Sequence, residues 1–475
     1  EGEPGKESEL VKYPFAWVWV KASDGGDGGD GGDGGDGGDG DGGDGDGGDG
    51  GEDTTTASDG GDGGEDTTTA GDGGDGGTTT GDGGGSDLPE SLKIGTLAPV
   101  PSENPIGASI VGGAELAAGQ LNNNGDVLPD TDVEIVTKDT KEDPATGRTG
   151  YNELVRGEEV HATTGIFTSE VLLAIMDSMS RNRTIHLGSG AATPEANSLV
   201  KEDYESYKYF FRAGPINSYH LGLNMVDFLK MEAEELGWGS IGILVEDFKW
   251  TSPVQQALEE NIGDTDVEIT LNKRYSSSTE DFSSLYDDIQ SSGADAAYVS
   301  MAHTGTPAIV QWAKQQRPFA FGGIHVPAQL PAYFKLTKGA CSYSVIQNVA
   351  TPQAEVTPKT IPFANAFRDQ FDRFPVYTGY ITYDAVMQYA QRVHEAGTAD
   401  EDTIVSALED QVYTGTSGVL EYYGKDHEFA HDPMYGPDRA WPVYMQWKPE
   451  GESGSQEVLH PDGIQTASYQ SPPWV

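Results

Sequence analysis

The segment LKIGTLAPVPSENPIGASIVGGAELAAGQLNNNGDV, residues 92–127, decides the fold. LKIGTLAP (92–99) reads as a buried strand that its proline ends. GASIVGGAELAAGQLNN (107–123) reads as a helix with small residues on one face. The same rhythm continues outward. DVEIVTKDT (132–140), EEVHATTGIF (158–167) and TIHLGSGA (184–191) read as strands, with SEVLLAIMDSMSRN (169–182) as a helix between the last two. Further on, SIGILVED (240–247), DVEITLNKRY (266–275), DAAYVSMA (295–302) and FAFGGIHV (319–326) are strands separated by helical segments. Alternating βα units of this length predict parallel sheets with helices on both faces. Ligands of such sheets sit outside the carboxyl ends of the strands, so the loops that follow them are where a site is expected.

Composition divides the chain into a globular part from residue 91 onward and an unusual N-terminal part. The 475 residues carry 28 Lys and Arg against 78 Asp and Glu, a formal net charge of −50. Phosphate repels such a surface, which argues against nucleic acid or an anionic membrane as partner. The same charge suits molar salt, where the Debye length shrinks to roughly 3 Å, and reads as an extreme halophile with a solvated acidic surface. Cys341 is the single cysteine, so neither an intrachain disulfide nor a cysteine-rich metal site is available. No run of 18 apolar residues occurs, so no transmembrane helix is expected. Glu1 in place of a methionine, without a basic and apolar leader, reads as a mature extracellular chain. The globular part exceeds what one compact core usually holds, and two lobes are expected.

Six segments in order carry a family resemblance: residues 92–127, VEIVTKDTKEDP (133–144), TTGIFTSE (163–170), GSGAATPE (188–195), FFRAGPINSYHLG (210–222) and YITYDAVMQYA (380–390). Together they resemble the type I periplasmic binding proteins of ABC importers, in the branch that binds branched-chain amino acids, amides and urea. The resemblance implies an α/β fold of two Rossmann-like lobes joined by three hinge crossings. Lobe 1 would hold residues 91–215 and 348–416, lobe 2 residues 216–347 and 417–475. It further implies a small-molecule ligand between the lobes, an ABC permease as partner, no cofactor and no enzymatic role. Ser169 matches the serine that grips the ligand's acidic end, with Phe167 and Thr168 beside it. A helix starting there also offers free N–H groups, although Ser169 equally reads as a plain N-cap. Ala191 and Ala192 fall where the family uses backbone groups and a threonine hydroxyl, here displaced to Thr193. Amino-acid binders place acids at two lobe-2 positions; in this chain they read Asn217 and the neighbourhood of His325. Trp250, His303 and Thr304 stand where the family builds aromatic or hydroxyl walls. A buried ammonium without a carboxylate loses several kcal/mol of compensation, roughly. Among small polar, amino-acid-like solutes this favours an amide, a urea-like molecule or an anion.

HEFAH (427–431) matches a zinc-protease pattern, but Gly424, Pro433, Gly436 and Pro437 leave little room for the helix that pattern needs. A hairpin with surface histidines is expected there, and no metal site. Asp139 and Asp143 read as turn residues, and Phe367, Phe371 and Phe374 as a core stripe. Asn182-Arg183-Thr184 is an N-glycosylation sequon at Asn182.

At the N-terminus, YPFAWVWVKA (13–22) places Tyr13, Phe15, Trp17 and Trp19 on one face of a strand and Ala16, Val18 and Val20 on the other. Burying it could contribute on the order of 10 kcal/mol, about what ordering ten residues costs. It should therefore be stable only within an existing sheet. Residues 23–90, a Gly/Asp/Thr linker repeating G-G-D, tether it. Row upon row of carboxylates there could order around Ca²⁺ or other cations. The strand could pack on its own lobe, stay free, or be donated to a neighbouring copy, making a filament. Two functions are thus expected, a solute-binding protein for import or a structural subunit of an extracellular homopolymer on the same fold.

Overall fold

The chain's computed structural model describes residues 88–100, 104–125 and 127–475. Residues 92–127 become strand β1 (Ser91–Ala98) and helix α1 (Pro105–Asn124). The helix starts where the Asn104 side chain accepts the N–H groups of Ile106 and Gly107, at 3.0 and 3.3 Å, with Pro105 in the first turn. It stops at Gly125, which takes the left-handed conformation at φ 60.

The first sheet is completed by β2 (Asp132–Asp139), α2 (Pro144–Arg156), β3 (Ala162–Gly165), α3 (Ser169–Asn182), β4 (Ile185–Gly188), the short α4 (Glu195–Glu202) and α5 (Tyr204–Tyr207), and β5 (Phe210–Arg212). Its order is β2-β1-β3-β4-β5 and every pair is parallel. The strand expected over 158–167 is shorter at both ends. Glu159 turns the chain at φ 54, and Gly165 and Ile166 bend it away at φ 102 and φ 64.

The chain then crosses to a second body. This is built from α6 (Ser218–Leu236), β6 (Ser240–Glu246), α7 (Thr251–Asn261), β7 (Glu268–Tyr275), α8 (Ser283–Ser292), β8 (Ala296–Met301), α9 (Gly305–Gln315), β9 (Ala320–His325), α10 (Tyr333–Leu336) and β10 (Val345–Asn348). The strands run β7-β6-β8-β9-β10, the same winding as the first sheet. A second crossing leads to α11 (Thr360–Phe371), α12 (Tyr377–Ala396) and α13 (Glu401–Glu409), with α11 and α12 packed on α1. The hairpin β11 (Val412–Thr414) and β12 (Val419–Glu421) follows. A third crossing delivers β13 (Val443–Lys448) and β14 (Ser455–His460), which add antiparallel strands beyond β10.

The α1–α12 contact explains the small residues of α1. A Cβ on Gly113 would lie 2.5 Å from the carbonyl oxygen of Gly379. Both sheets are wound in the doubly-wound order whose ligand crevice opens beside the first strand, at its carboxyl end. In this chain those crevices lie between β1 and β3 and between β6 and β8, and the loops above them face each other. Among the described residues no helix is long and apolar enough to cross a membrane. The strand expected at 13–22, the tract before residue 88 and its cation binding lie outside the described residues.

Candidate functional site

The loops that follow the strands line a cavity of about 50 Å³. On the lobe-1 side, Phe167, Thr168, Ser169 and Glu170 come from the turn into α3, Gly190 and Ala192 from the loop after β4, and Tyr377 from the start of α12. The turn into α3 is tightly specified. Ile166, fully buried and left-handed, donates its N–H to Leu97 at 2.7 Å. A β-branched residue rarely accepts that conformation, and such strain gathers at functional sites. Its effect is to aim Phe167 and Thr168 into the cleft. Thr168 sits at the N-cap of α3 but makes no side-chain cap, and its Oγ1 is buried without a partner. Ser169 Oγ accepts the N–H of Thr193 at 3.2 Å. A hydroxyl and the open N–H groups of a 14-residue helix therefore converge on one end of the cavity.

Lobe 2 supplies larger side chains. Phe248 and Trp250 follow β6, His303 follows β8, and Val326 and Gln329 follow β9. Glu246, fully buried, accepts the N–H groups of Ala302, His303 and Thr304 at 2.6, 3.0 and 3.0 Å. His303 stacks on Phe248 with centroids 4.3 Å apart, and its Nε2 lies 3.4 Å from Glu142 of lobe 1. Burial disfavours the imidazolium, but the hydrogen bonds and charges of Glu142 and Glu246 outweigh it and push its pKa up to about 9. His303 thus carries a charge that ties the two lobes together. Lys249 adds a second tie, its backbone N–H 3.3 Å from Glu170 and its Nζ 3.5 Å from Glu195.

Of the residues singled out in the sequence, Phe167, Thr168, Ser169, Ala192, Trp250 and His303 line the cavity. Ala191, Thr193, Asn217, Thr304 and His325 do not. Arg212, wholly buried, explains three of these displacements. Its guanidinium holds the carbonyls of Ala191 and Thr193 and the side chain of Asn197, and pairs with Asp432 at 3.0 Å. The backbone of Ala191 and Thr193 is thereby turned to the hinge. Asn217 caps α6 and donates to the same Asp432 at 2.7 Å. Thr304 faces Tyr275, with the two hydroxyls 2.9 Å apart. His325 lies behind the wall, where its Nδ1 accepts from Ala328 and burial pulls its pKa down to about 4.

HEFAH forms turns rather than a helix, but its second histidine is not on the surface. His431 is fully buried, stacked on Phe211, with Nδ1 donating to the carbonyl of Phe210 at 2.9 Å and Nε2 2.8 Å from Glu409. Apolar neighbours and two polar partners fix it inside. At the sequon, Asn182 Nδ2, the atom a glycan would take, donates to Ser178 at 2.6 Å. Arg212, Asp432, Glu142, Glu246, Gln329, Gln347 and Tyr377 were not legible as site residues, because each acts through partners distant in sequence.

A cleft of this kind, between two similarly wound α/β lobes with three crossings, defines a binding protein that closes on a small solute. The periplasmic binding protein family profile matches residues 91–436, and the chain belongs to that family. Solved structures share the fold. A putative branched-chain amino acid ABC transporter protein of Silicibacter pomeroyi is 16% identical, with 81% of this chain and 100% of that one covered at TM-score 0.69. A branched-chain amino acid transporter substrate binding protein of Streptococcus pneumoniae, in complex with isoleucine, is 17% identical over 78% and 100% of the two chains, at TM-score 0.63. A solute binding protein of R. palustris, in complex with 4-hydroxybenzoate, is 14% identical over 80% and 98%, at TM-score 0.65. Among curated sequences, subunit 1 of the mouse and rat gamma-aminobutyric acid type B receptor is 23% identical over 185 residues. That stretch is 39% of this chain and 18% of the receptor subunit.

Proposed function

We propose that this chain is the extracellular receptor of an ABC-type importer, in a salt-rich medium, and that it captures a small solute with a carboxylate or carbonyl head and an apolar or aromatic body. The observation that carries this reading is the contrast between the two ends of the cavity. One end offers Thr168 Oγ1 and the N–H groups of α3, which suit an oxygen-bearing head. The body would lie among Phe167, Phe248, Trp250 and Tyr377, with Ile216, Leu221, Ile324, Val326 and Val349 around them. The nearby carboxylates already have partners: Glu170 with Lys249, Glu142 with Asn104 and His303, Glu246 with three N–H groups. An ammonium set among the lobe-2 residues would have no carboxylate beside it in the cavity wall, so a zwitterionic amino acid fits less well than an acid or amide without an amine.

Titration calorimetry with benzoate, acetamide, urea and isoleucine tests this. Saturable binding of benzoate or acetamide, ahead of isoleucine, is the expected result. A ligand at a hundred times its Kd should also stabilise the protein by about 2.7 kcal/mol, read as a rise in Tm. Absence of heat and of any Tm shift for all four would overturn the reading.

A further inference from the structure

Two buried polar atoms without partners belong to residues lining the cavity, one from each lobe: Thr168 Oγ1 and Gln329 Oε1. They differ in chemistry. A hydroxyl both donates and accepts, whereas an amide oxygen only accepts. Gln329 lies on the short 3-10 turn Val326–Gln329 that follows β9, and is 7% exposed. Its Nε2 donates to the carbonyl of Gln347 at 3.0 Å. A carbonyl cannot donate, so that bond fixes which way the amide faces and leaves Oε1 as the free end. Its backbone is held as well, since the Gln329 carbonyl accepts from Gln456 Nε2 at 3.1 Å. Gln347 has no spare donor to turn toward it, because its own Nε2 is engaged with Leu221, Asn224 and Tyr444. Buried acceptors are almost always satisfied, and one left open on a residue that lines a ligand cavity points to the ligand as its donor.

We infer that Gln329 is a specificity-determining residue: the solute carries an uncharged donor, a hydroxyl or an amide N–H, on the end opposite its head, and Gln329 Oε1 receives it. This rests on the reading that the cavity takes a solute with a carboxylate or carbonyl head. The donor is uncharged because no carboxylate stands among the lobe-2 residues that line the cavity, and an ammonium there would be buried without compensation. The solute therefore has a direction. Its accepting end is read by lobe 1 and its donating end by lobe 2.

The test uses matched pairs with and without the distal hydroxyl, namely benzoate with 4-hydroxybenzoate and phenylacetate with its para-hydroxy derivative, titrated calorimetrically into the full chain. For whichever length binds, the hydroxylated member should bind at least tenfold more tightly, the scale of one buried hydrogen bond. Gln329→Met should abolish that preference; because it also removes the Nε2 donor to Gln347, the comparison is made between the two members of each pair in the same protein. Gln329→Asn keeps the amide but withdraws the oxygen by one methylene, and serves as the second variant if the methionine protein does not fold. Equal affinity within both pairs, as an ordered water on Oε1 would produce, overturns the role of Gln329 and leaves the solute class standing. A preference that survives both substitutions does the same. No saturable binding of any of the four compounds overturns the inference, and the class with it when acetamide fails to bind as well.

Discussion

The two lobes wind their sheets in the same order but face the cleft with different materials. Beside the rings of Phe167 and Tyr377, lobe 1 presents backbone and small groups: the N-terminus of α3, the hydroxyls of Thr168 and Ser169, and Gly190 and Ala192. Lobe 2 presents side chains with bulk and charge: Phe248, Trp250, His303 and Gln329. A helix end recognises any oxygen-rich head, because its donors are main-chain N–H groups that every sequence has. Discrimination among bodies must then come from the side chains, Phe167 and Tyr377 of lobe 1 and the larger set of lobe 2. The lobe-1 surface also depends on one strained turn at Ile166 and on Arg212, so a change at either should disturb it.

The largest effect should come from breaking what fixes the lobe-1 loop. Arg212→Met leaves Asp432 buried without its partner and removes the donor to Ala191, Thr193 and Asn197. Urea unfolding should show a loss of about 3–5 kcal/mol. A loss below about 1 kcal/mol would mean that the hinge does not depend on this residue.

The charge that joins the lobes should give the next largest effect. His303 has a folded-state pKa of about 9, above the ordinary value of 6.5. The stability it contributes is therefore present in full below pH 6.5 and is lost as the pH rises through about 9. The difference between wild type and His303→Gln in denaturant unfolding should shrink over that window by on the order of 3 kcal/mol. Asp384, buried and pushed up to about 7, also titrates, but it does so equally in both proteins and cancels in the difference. A difference independent of pH would separate His303 from the tie to Glu142.

The smallest effect sharpens the contrast best. Thr168→Val deletes a buried hydroxyl that has no partner in the free protein. The unliganded protein should keep its Tm or gain up to about 1 kcal/mol, while affinity for benzoate should fall about tenfold. A parallel loss of stability and affinity would show that the hydroxyl serves the fold instead.

How much of this could be read from the chain follows the range of each interaction. The βα alternation of residues 92–127 and of SIGILVED was legible because buried strands and capped helices announce themselves within a few residues, as Asn104, Pro105 and Gly125 do around α1. Thr168 and Ser169 were legible for the same reason, standing where a strand gives way to a helix. Asn217 was identified, but the structure places it off the cavity: its capping bond is local, yet its bond to Asp432 spans 215 residues. Thr193 was displaced by an arginine 19 positions away, and nothing in GSGAATPE records that arginine. Gln329 carried no signal at all. A glutamine in HVPAQLPA looks like a loop residue until Gln347 fixes its amide.

Arg212 and Asp432 come from the first and third passages of the chain between lobes, and the arginine also holds the loop on which Ala192 stands. The loop that walls the cavity and the crossings that join the lobes thus share one buried charge pair. If a guest turns the lobes about that pair, reporters at the rim, where Lys249 meets Glu195, should shift further than reporters beside Arg212.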